Sequence, residues 1–535
     1  MDSMIYDPLK EYESKFKSLH SDNTNKYFND LVKRSEVNVE ENRATVNEYL
    51  FYKENFKKLK RKLNLWRFLR VLMIISLILI PLVILKITPK IRALREDVKL
   101  SDRKANELLD LAHRQMAPLN SLFTDRDALN IIESTIPSVS FAQSFTAKQE
   151  ADMVINYDFD PRSSMEHSTV DVLAGNYNGN PFLFENKLIH KMGVETYHGQ
   201  LTIQWTESYT DSNGKRQTRT QTQTLHASVT KPKPYYSTQV VLNYCAQGGP
   251  DLSFSRDATH LERKSDKAID KYVKKGEKKI KKMTDKAIKQ NKDFTGMSNS
   301  DFEVLFDALD RNNEVQFRTL FTPLAQTNMV ELIRSQEGYG DDFNFIKQKR
   351  TNKIISQHSQ GRPLNLSAHH YKSYSFDEIK ESFIFKNVKL FKDVYFDFAP
   401  LWAIPIYQEK PVHSLQPVPD YIQKHSYKEY EAFVNSISKK YVVHPSTQTQ
   451  AIIKAVHVNS YDGIEQISVT AFSYYTVPRI DLVPVYGGDG RWHNVPVPWD
   501  EYIPIQAVNN FGIAEESVAK NRNVIGVRNG LYIFN

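Results

Sequence analysis

The densest concentration of chemically useful side chains is a row of lysines, Lys271, Lys274, Lys275, Lys278, Lys279, Lys281 and Lys282. They lie in a segment, 263–289, that holds twelve basic and four acidic residues. Ammonium groups spaced in this way meet anions as point charges, whether lipid headgroups, phosphates of nucleic acid, an acidic protein or a cell-wall polymer. The segment carries a net +8, equal to the net charge of the whole chain. Everything outside it is neutral in sum, so the basic isoelectric point belongs to this strip and not to the surface at large. Nucleic acid is the least favoured partner, because no zinc finger or aromatic RNA-binding motif accompanies the charge. A solvated linker helix is the plain alternative.

The other reactive side chains form no pattern. Fifteen histidines include the adjacent His369 and His370, the group His190, His198 and His226, and the late His457 and His493, none with ligand spacing. Cys245 is the single cysteine, which excludes an internal disulfide and a multi-cysteine metal site. No base accompanies it locally, as a nucleophilic thiol requires. The glycines at 487, 488 and 490 precede no Lys-Ser/Thr and open no helix, so they are a turn and not a phosphate loop. The sequence therefore nominates no catalytic residue, no cofactor and no metal. A chain acting by surface recognition is favoured over an enzyme.

The elements that must hold these residues begin with the run VLMIISLILIPLVIL at 71–85. About 20 apolar residues cross a bilayer. Extension to 66–87 reaches that length, with Trp66 at the interface and Arg67, Arg70 and Lys86 reaching the headgroups. Read this way, 66–87 is a retained single-pass transmembrane helix in the cell membrane, preceded by too many polar residues to be a signal peptide. Seven basic residues in 56–70 against five in 86–100 place the N-terminus in the cytoplasm and the large C-terminal region outside.

Around that segment, Leu9, Tyr12, Phe16 and Leu19 share one helical stripe within a polar N-terminal region, 1–65. A helical, coiled-coil-like stalk follows over 88–136. Thr124 and Asp127 open its last helix, which runs to about Ser134. Region 151–260 reads as strands. Leu201, Ile203 and Trp205 alternate with polar residues, as do Leu225, Ala227 and Val229, and an Asn-Gly pair at 213–214 suits a tight hairpin turn between them. Ile269, Val273, Gly276, Ile280, Met283 and Ala287 make 261–292 a basic amphipathic helix. Region 298–385 reads as helical, with capping boxes at Ser300/Glu303 and Ser375/Glu378 and a polar surface loop over 350–363. The apolar stretch 383–407 reads as a core strand pair, or a strand and an extended wedge, because Pro400 and Pro405 oppose one long helix. It offers Phe396, Phe398, Leu401 and Trp402 as an apolar surface contact. Region 386–535 is β-rich and packs with 151–260 or stands apart.

The fold class expected is α+β, with a single N-terminal transmembrane helix followed by a mixed helical and antiparallel β-rich region. The function expected is a membrane-anchored structural or binding protein, a scaffold or recruitment module. Its partners would be membrane lipid, a protein or envelope component, and a second copy in a homo-oligomer. Two alternatives accompany it. One is a membrane-tethered hydrolase whose site forms only in the fold; the other is a cytoplasmic-facing organiser holding anionic lipid through the lysine row.

Overall fold

Helical periodicity near the N-terminus is realised as a short α-helix (Pro8–Glu11), a π-helical turn (Tyr12–Phe16) and an α-helix (Lys17–Ser35) that ends on Glu36 in the left-handed region. The computed structural model describes residues 4–75, 83–210, 212–290, 294–411, 416–419, 421, 423–520 and 522–534. They form two units. One comprises Leu9–Val139 and Asn365–Phe396; the other comprises Met1–Pro8, Ser140–Leu364 and Asp397–Asn535.

In the first unit, Tyr12 and Phe16 are buried against Phe391, Tyr395 and Phe396. Two long helices, Val39–Ile75 and Thr88–Leu122, run antiparallel as a hairpin. Its direction is fixed by crossed contacts: Gln115 donates to Thr45, and Ser101 donates to the Tyr52 carbonyl. Toward the tip, Leu63, Val83, Ile87 and Ile91 form a small core beside Trp66, Met73, Leu94 and Val98.

This hairpin overturns the expected membrane helix. Of the run 71–85, residues 71–75 belong to the first helix, and its end lies in a π-helical turn (Val83–Ile87) that leads into the second. Residues 76–82, with Ser76 and Pro81, lie outside the described residues. Among the described residues no helix is long and apolar enough to cross a membrane. Val83 and Ile87 pack instead on Leu63 and Ile91, and Lys90 covers the Trp66 ring at 4.0 Å, which gives the interfacial tryptophan a protein partner. The single-pass anchor, the cell-membrane localisation, the two-sided topology and the lipid partner fall with it. So do both membrane-based alternatives, the tethered hydrolase and the lipid-binding organiser. Nothing in the described residues supports the expected protein, envelope or homo-oligomeric partners.

Downstream, Thr124 and Asp127 bond each other at the start of the next helix, whose N-cap position is Arg126 and not the expected Thr124. The Thr124 hydroxyl and N–H both donate to the Asp127 carboxylate, and helix Asp127–Thr135 follows. The stretch expected as strands after 383 is helical: one helix spans Phe376–Trp402, with Ser375 at its start. Its first part buries one face, with Ile379, Phe383 and Leu390 on it, and from Asp393 to Trp402 it is buried on every side. Pro400 enters only near the end, where the missing N–H removes one hydrogen bond from an otherwise intact ladder.

The second unit carries two antiparallel sheets. One has the order β1-β2-β3-β4-β7-β6-β5, from β1 (Val139–Phe141), β2 (His167–Tyr177), β3 (Asn180–Thr210), β4 (Arg216–Cys245), β5 (Ser253–Arg256), β6 (Phe343–Gln348) and β7 (Thr351–Ser356). The other has the order β11-β12-β10-β9-β8, from β8 (Ile452–Tyr461), β9 (Ile464–Tyr486), β10 (Trp492–Glu515), β11 (Val524–Arg528) and β12 (Leu531–Phe534). Strands β6 and β7 interrupt the region expected to be helical, and β7 occupies part of the expected surface loop.

Each sheet extends one hairpin far past its neighbours. Strand β2 covers β3 only as far as Ile189 and β7 covers β4 only from Leu242, so beyond His190 and Tyr236 these two strands pair with each other alone. At about 3.4 Å per residue, the free arm is roughly 70 Å long. Gly214 takes φ 78° but Asn213 has no positive φ, and the last strand pair is Thr210–Arg216, so the connection is longer than the tight Asn-Gly turn expected; Asp211 lies outside the described residues. Likewise β9 and β10 pair alone beyond Ser473 and Ile505, and the glycines at 487–490 close their turn. The arms lie face to face. Ile203, Leu225 and Val495 are buried between them, Lys231 pairs with Asp481 at 2.6 Å, and a Cβ on Gly199 would strike the Pro496 carbonyl. Gly487 donates to Arg491 across the β9–β10 turn, so even-numbered residues of that arm point their N–H groups outward. All its prolines, Pro478, Pro484, Pro496, Pro498 and Pro504, take even positions, where they block further strand addition.

Candidate functional site

The lysine row stands on an α-helix, Asp266–Lys289. Ile269, Val273 and Ala287 are buried, and Gly276 fits only because it lacks a side chain, since a Cβ there would meet Val304 at 2.4 Å. The helix is therefore fixed along one side by Ser300–Phe306. That orientation sorts its charges. Asp266 occupies the first turn, where the helix dipole favours an acid. Asp270 bonds Arg334 at 3.2 Å, and Glu277 accepts from the Ser300 hydroxyl at 2.6 Å. Asp285 is exposed near the far end.

The seven lysines are all exposed, and among the described residues none of them forms an ion pair. Lys271, Lys274, Lys275, Lys278 and Lys282 follow the spacing of one helical face, with Lys279 and Lys281 on its flanks. Eleven residue steps at 1.5 Å make this face about 16 Å long. Lys271/Lys275, Lys274/Lys278, Lys275/Lys279 and Lys278/Lys282 are like charges four apart, each repelling by about 0.2–0.5 kcal/mol.

The second set of expected contact residues is inside the protein. Phe396, Phe398, Leu401 and Trp402 are all buried, which corrects their assignment as a surface contact. Phe396 packs edge-on to Tyr12, Phe398 stacks on Trp402 at 5.1 Å and meets Phe182, and Trp402 reaches Tyr177. This end of the helix is buried all round, so these large apolar side chains lie inside whichever way they point.

Cys245 is buried at the end of β4, paired with Thr351 of β7, and desolvation pushes its thiol well above the ordinary range, away from the thiolate a nucleophile needs. His369 and His370 share the Ser367 hydroxyl, and His493 is held by Asp489 at 3.0 Å. Among the described residues no three His, Cys, Asp or Glu side chains gather to hold a metal ion.

Two constellations left no mark in the sequence. The first surrounds helix Tyr427–Ser436, which buries Lys428, Glu429 and Glu431. Glu431 accepts from Lys454 at 3.1 Å and from the Thr169 N–H at 2.8 Å. Glu429 accepts from the Phe145 N–H at 2.8 Å and faces Arg528, which also holds Asp171. Burial lifts both carboxyls above their ordinary pKa, and their cations only partly offset it. Glu185 differs: Lys187, Lys428 and the Thr169 hydroxyl outweigh burial and hold its pKa below the ordinary value. Each carboxylate has named donors, so this network ties strands to helix and presents no free acid.

The second lies at the foot of the two arms. His190 faces Tyr236 in the register of β3 and β4, while Tyr474 faces Pro504 in that of β9 and β10. Together with Met165, Phe472 and Ile505 they line a cleft of about 540 Å³. The His190 ring lies 5.6 Å from Tyr474 and 5.2 Å from Tyr236. Desolvation lowers its pKa, which favours the neutral ring, and its buried Nε2 has no hydrogen-bond partner. A histidine and a tyrosine 46 positions apart carry no signal until the hairpin register is known.

Set against protein-family models, curated proteins and solved structures, the chain matches none of them.

Proposed function

We propose that the chain binds a linear polyanion, one with closely spaced phosphates or sulfates, along the exposed face of helix Asp266–Lys289, and that it works by binding without bond chemistry. The observation that supports this is the sorting of charge. Two of the helix's four acids are engaged by partners beside the packed side, and between Lys271 and Lys282 seven exposed lysines face one acid, Glu277, which is held by Ser300. Their mutual repulsion is relieved when an anion lies across them. Lysines, unlike the planar fork of arginine, impose no geometry on the anion they meet. No aromatic residue is interleaved on this face to stack a base, which favours a polymer recognised by charge alone.

The test uses the full chain and inorganic polyphosphate, titrated at about 50 and about 200 mM salt. Binding should weaken steeply with salt. Replacing Lys274, Lys278 and Lys282 together by Gln should cut affinity at low salt at least tenfold and flatten the log–log salt dependence by roughly 2–3 units, near one per lost contact. Unchanged binding in that variant would overturn the reading.

A further inference from the structure

Where the two arms leave their sheets, five strands contribute rings and apolar side chains to one cleft. We infer that this cleft binds a free, uncharged aromatic molecule bearing one hydrogen-bonding group, such as a phenol or an indole, with the ring against Tyr474 and Tyr236 and the polar group on His190 Nε2. This site is independent of the lysine face.

Four features select that chemistry. The lining carries no carboxylate, lysine or arginine, so a charged ligand would lose its water without gaining a counter-charge. Phe472, Tyr474 and Tyr236 offer ring surfaces, which favour an aromatic guest in offset or edge contact. His190 Nε2 is buried without a partner, and a buried polar atom in that state gains from the first suitable group to reach it. The neutral imidazole donates or accepts there according to its tautomer. Meanwhile two neighbouring hydroxyls are already engaged. Ser473 bonds Thr447 at 2.8 Å, and Tyr236 donates to Thr449 at 3.2 Å. A sugar, which needs several partners, finds few left; a ring with one polar group needs one. The cleft volume, about 540 Å³, falls within the range of roughly 300–1,000 Å³ usual for small-molecule sites.

The experiment is saturation-transfer NMR on the full chain with p-cresol, indole, toluene, benzoate and cyclohexanol as probes. Transfer should be strong to p-cresol and indole, weaker to toluene, and absent for benzoate and cyclohexanol. His190→Phe keeps a ring but removes Nε2. It should weaken p-cresol at least fivefold while leaving toluene unchanged, with a thermal melt verifying the fold. Tyr474→Ala should weaken all three aromatic probes. Lys278→Gln should change none, which separates failure here from failure at the lysine face. No transfer to any aromatic probe, equal transfer to cyclohexanol, or p-cresol binding unaffected by His190→Phe would each overturn the inference. Binding of N-acetyltryptophanamide more than tenfold tighter than indole would also overturn it, by assigning the cleft to a peptide side chain.

Discussion

Helices Asp266–Lys289 and Tyr427–Ser436 both carry lysines and acids within a few residues of one another, and the fold treats them in opposite ways. In Tyr427–Ser436, Lys428, Glu429 and Glu431 are buried, and every carboxylate is matched to a cation or a backbone N–H. In Asp266–Lys289 the lysines stay in water, and the acids Asp270 and Glu277, also exposed, are held by Arg334 and Ser300. Residue type does not decide the role of a charge; its desolvation does. A charge taken out of water must be paired, and the pair then belongs to the architecture. A charge left in water at a repeating spacing contributes little to folding and remains available to a partner.

The comparison is broken or sharpened most strongly at Glu431. Its Oε1 meets Lys454 at 3.1 Å with both side chains largely buried. Glu431→Leu should destabilise the protein by about 3–5 kcal/mol in denaturant unfolding, because Lys454 is left as an uncompensated buried charge. The double variant Glu431→Leu/Lys454→Met should recover most of that loss. If the single variant cost less than about 1 kcal/mol, the network would be no more structural than the exposed lysines.

A buried group held neutral gives the next effect. In the first unit His20 stacks on Phe391 at 3.9 Å, its Nε2–H donates to the Asn387 carbonyl, and burial lowers its pKa from 6.5 to about 3. The unfolded chain takes up a proton near pH 6.5 that the folded chain refuses until about pH 3. Its contribution is therefore fully present above pH 6.5 and is lost as pH falls through that window. Each unit is worth about 1.4 kcal/mol at most. His20→Phe keeps the stacked ring, and its stability should fall less steeply between pH 6.5 and 4.5, by about one proton's worth of slope. Parallel pH profiles for the two proteins would show that His20 is not held neutral by burial.

How much of this was legible follows from distance along the chain. The exposed lysine row and the positive φ of Gly214 are local patterns and were legible, whereas the tight Asn-Gly turn and the Thr124 cap were only approximate: Asn213 has no positive φ, and the N-cap position falls on Arg126. Even local signals slipped, however. The helix at Ser300–Phe306 is capped by Asn299, one residue before the Ser300/Glu303 box, because the Asn299 side chain reaches the Phe302 N–H. In the apolar run 71–85 hydropathy does not distinguish lipid from a second helix: Val83 packs on Leu63 and Ile91, while Val71, Leu72, Ile74 and Leu85 are exposed. Pro400 masked a helix that is buried on every side from Asp393 to Trp402, where no amphipathic period is left to read. The aromatic cleft was illegible, since it depends on two hairpin registers and on the point where each arm leaves its sheet.

The smallest expected effect is the most telling for the comparison. Lys275 has like charges four residues away on both sides, Lys271 and Lys279, and among the described residues it forms no ion pair. Lys275→Gln should leave stability within about 0.5 kcal/mol of the parent, and on the stabilising side at low salt, because two repulsive pairs disappear. The gain should vanish at about 1 M salt, where the screening length shrinks to roughly 3 Å. Thermal midpoints at the two ionic strengths measure both signs. A loss above about 1 kcal/mol, independent of salt, would mean that Lys275 holds the fold as Lys454 does, and the distinction between open and closed charge would fail at the place where it is drawn most sharply.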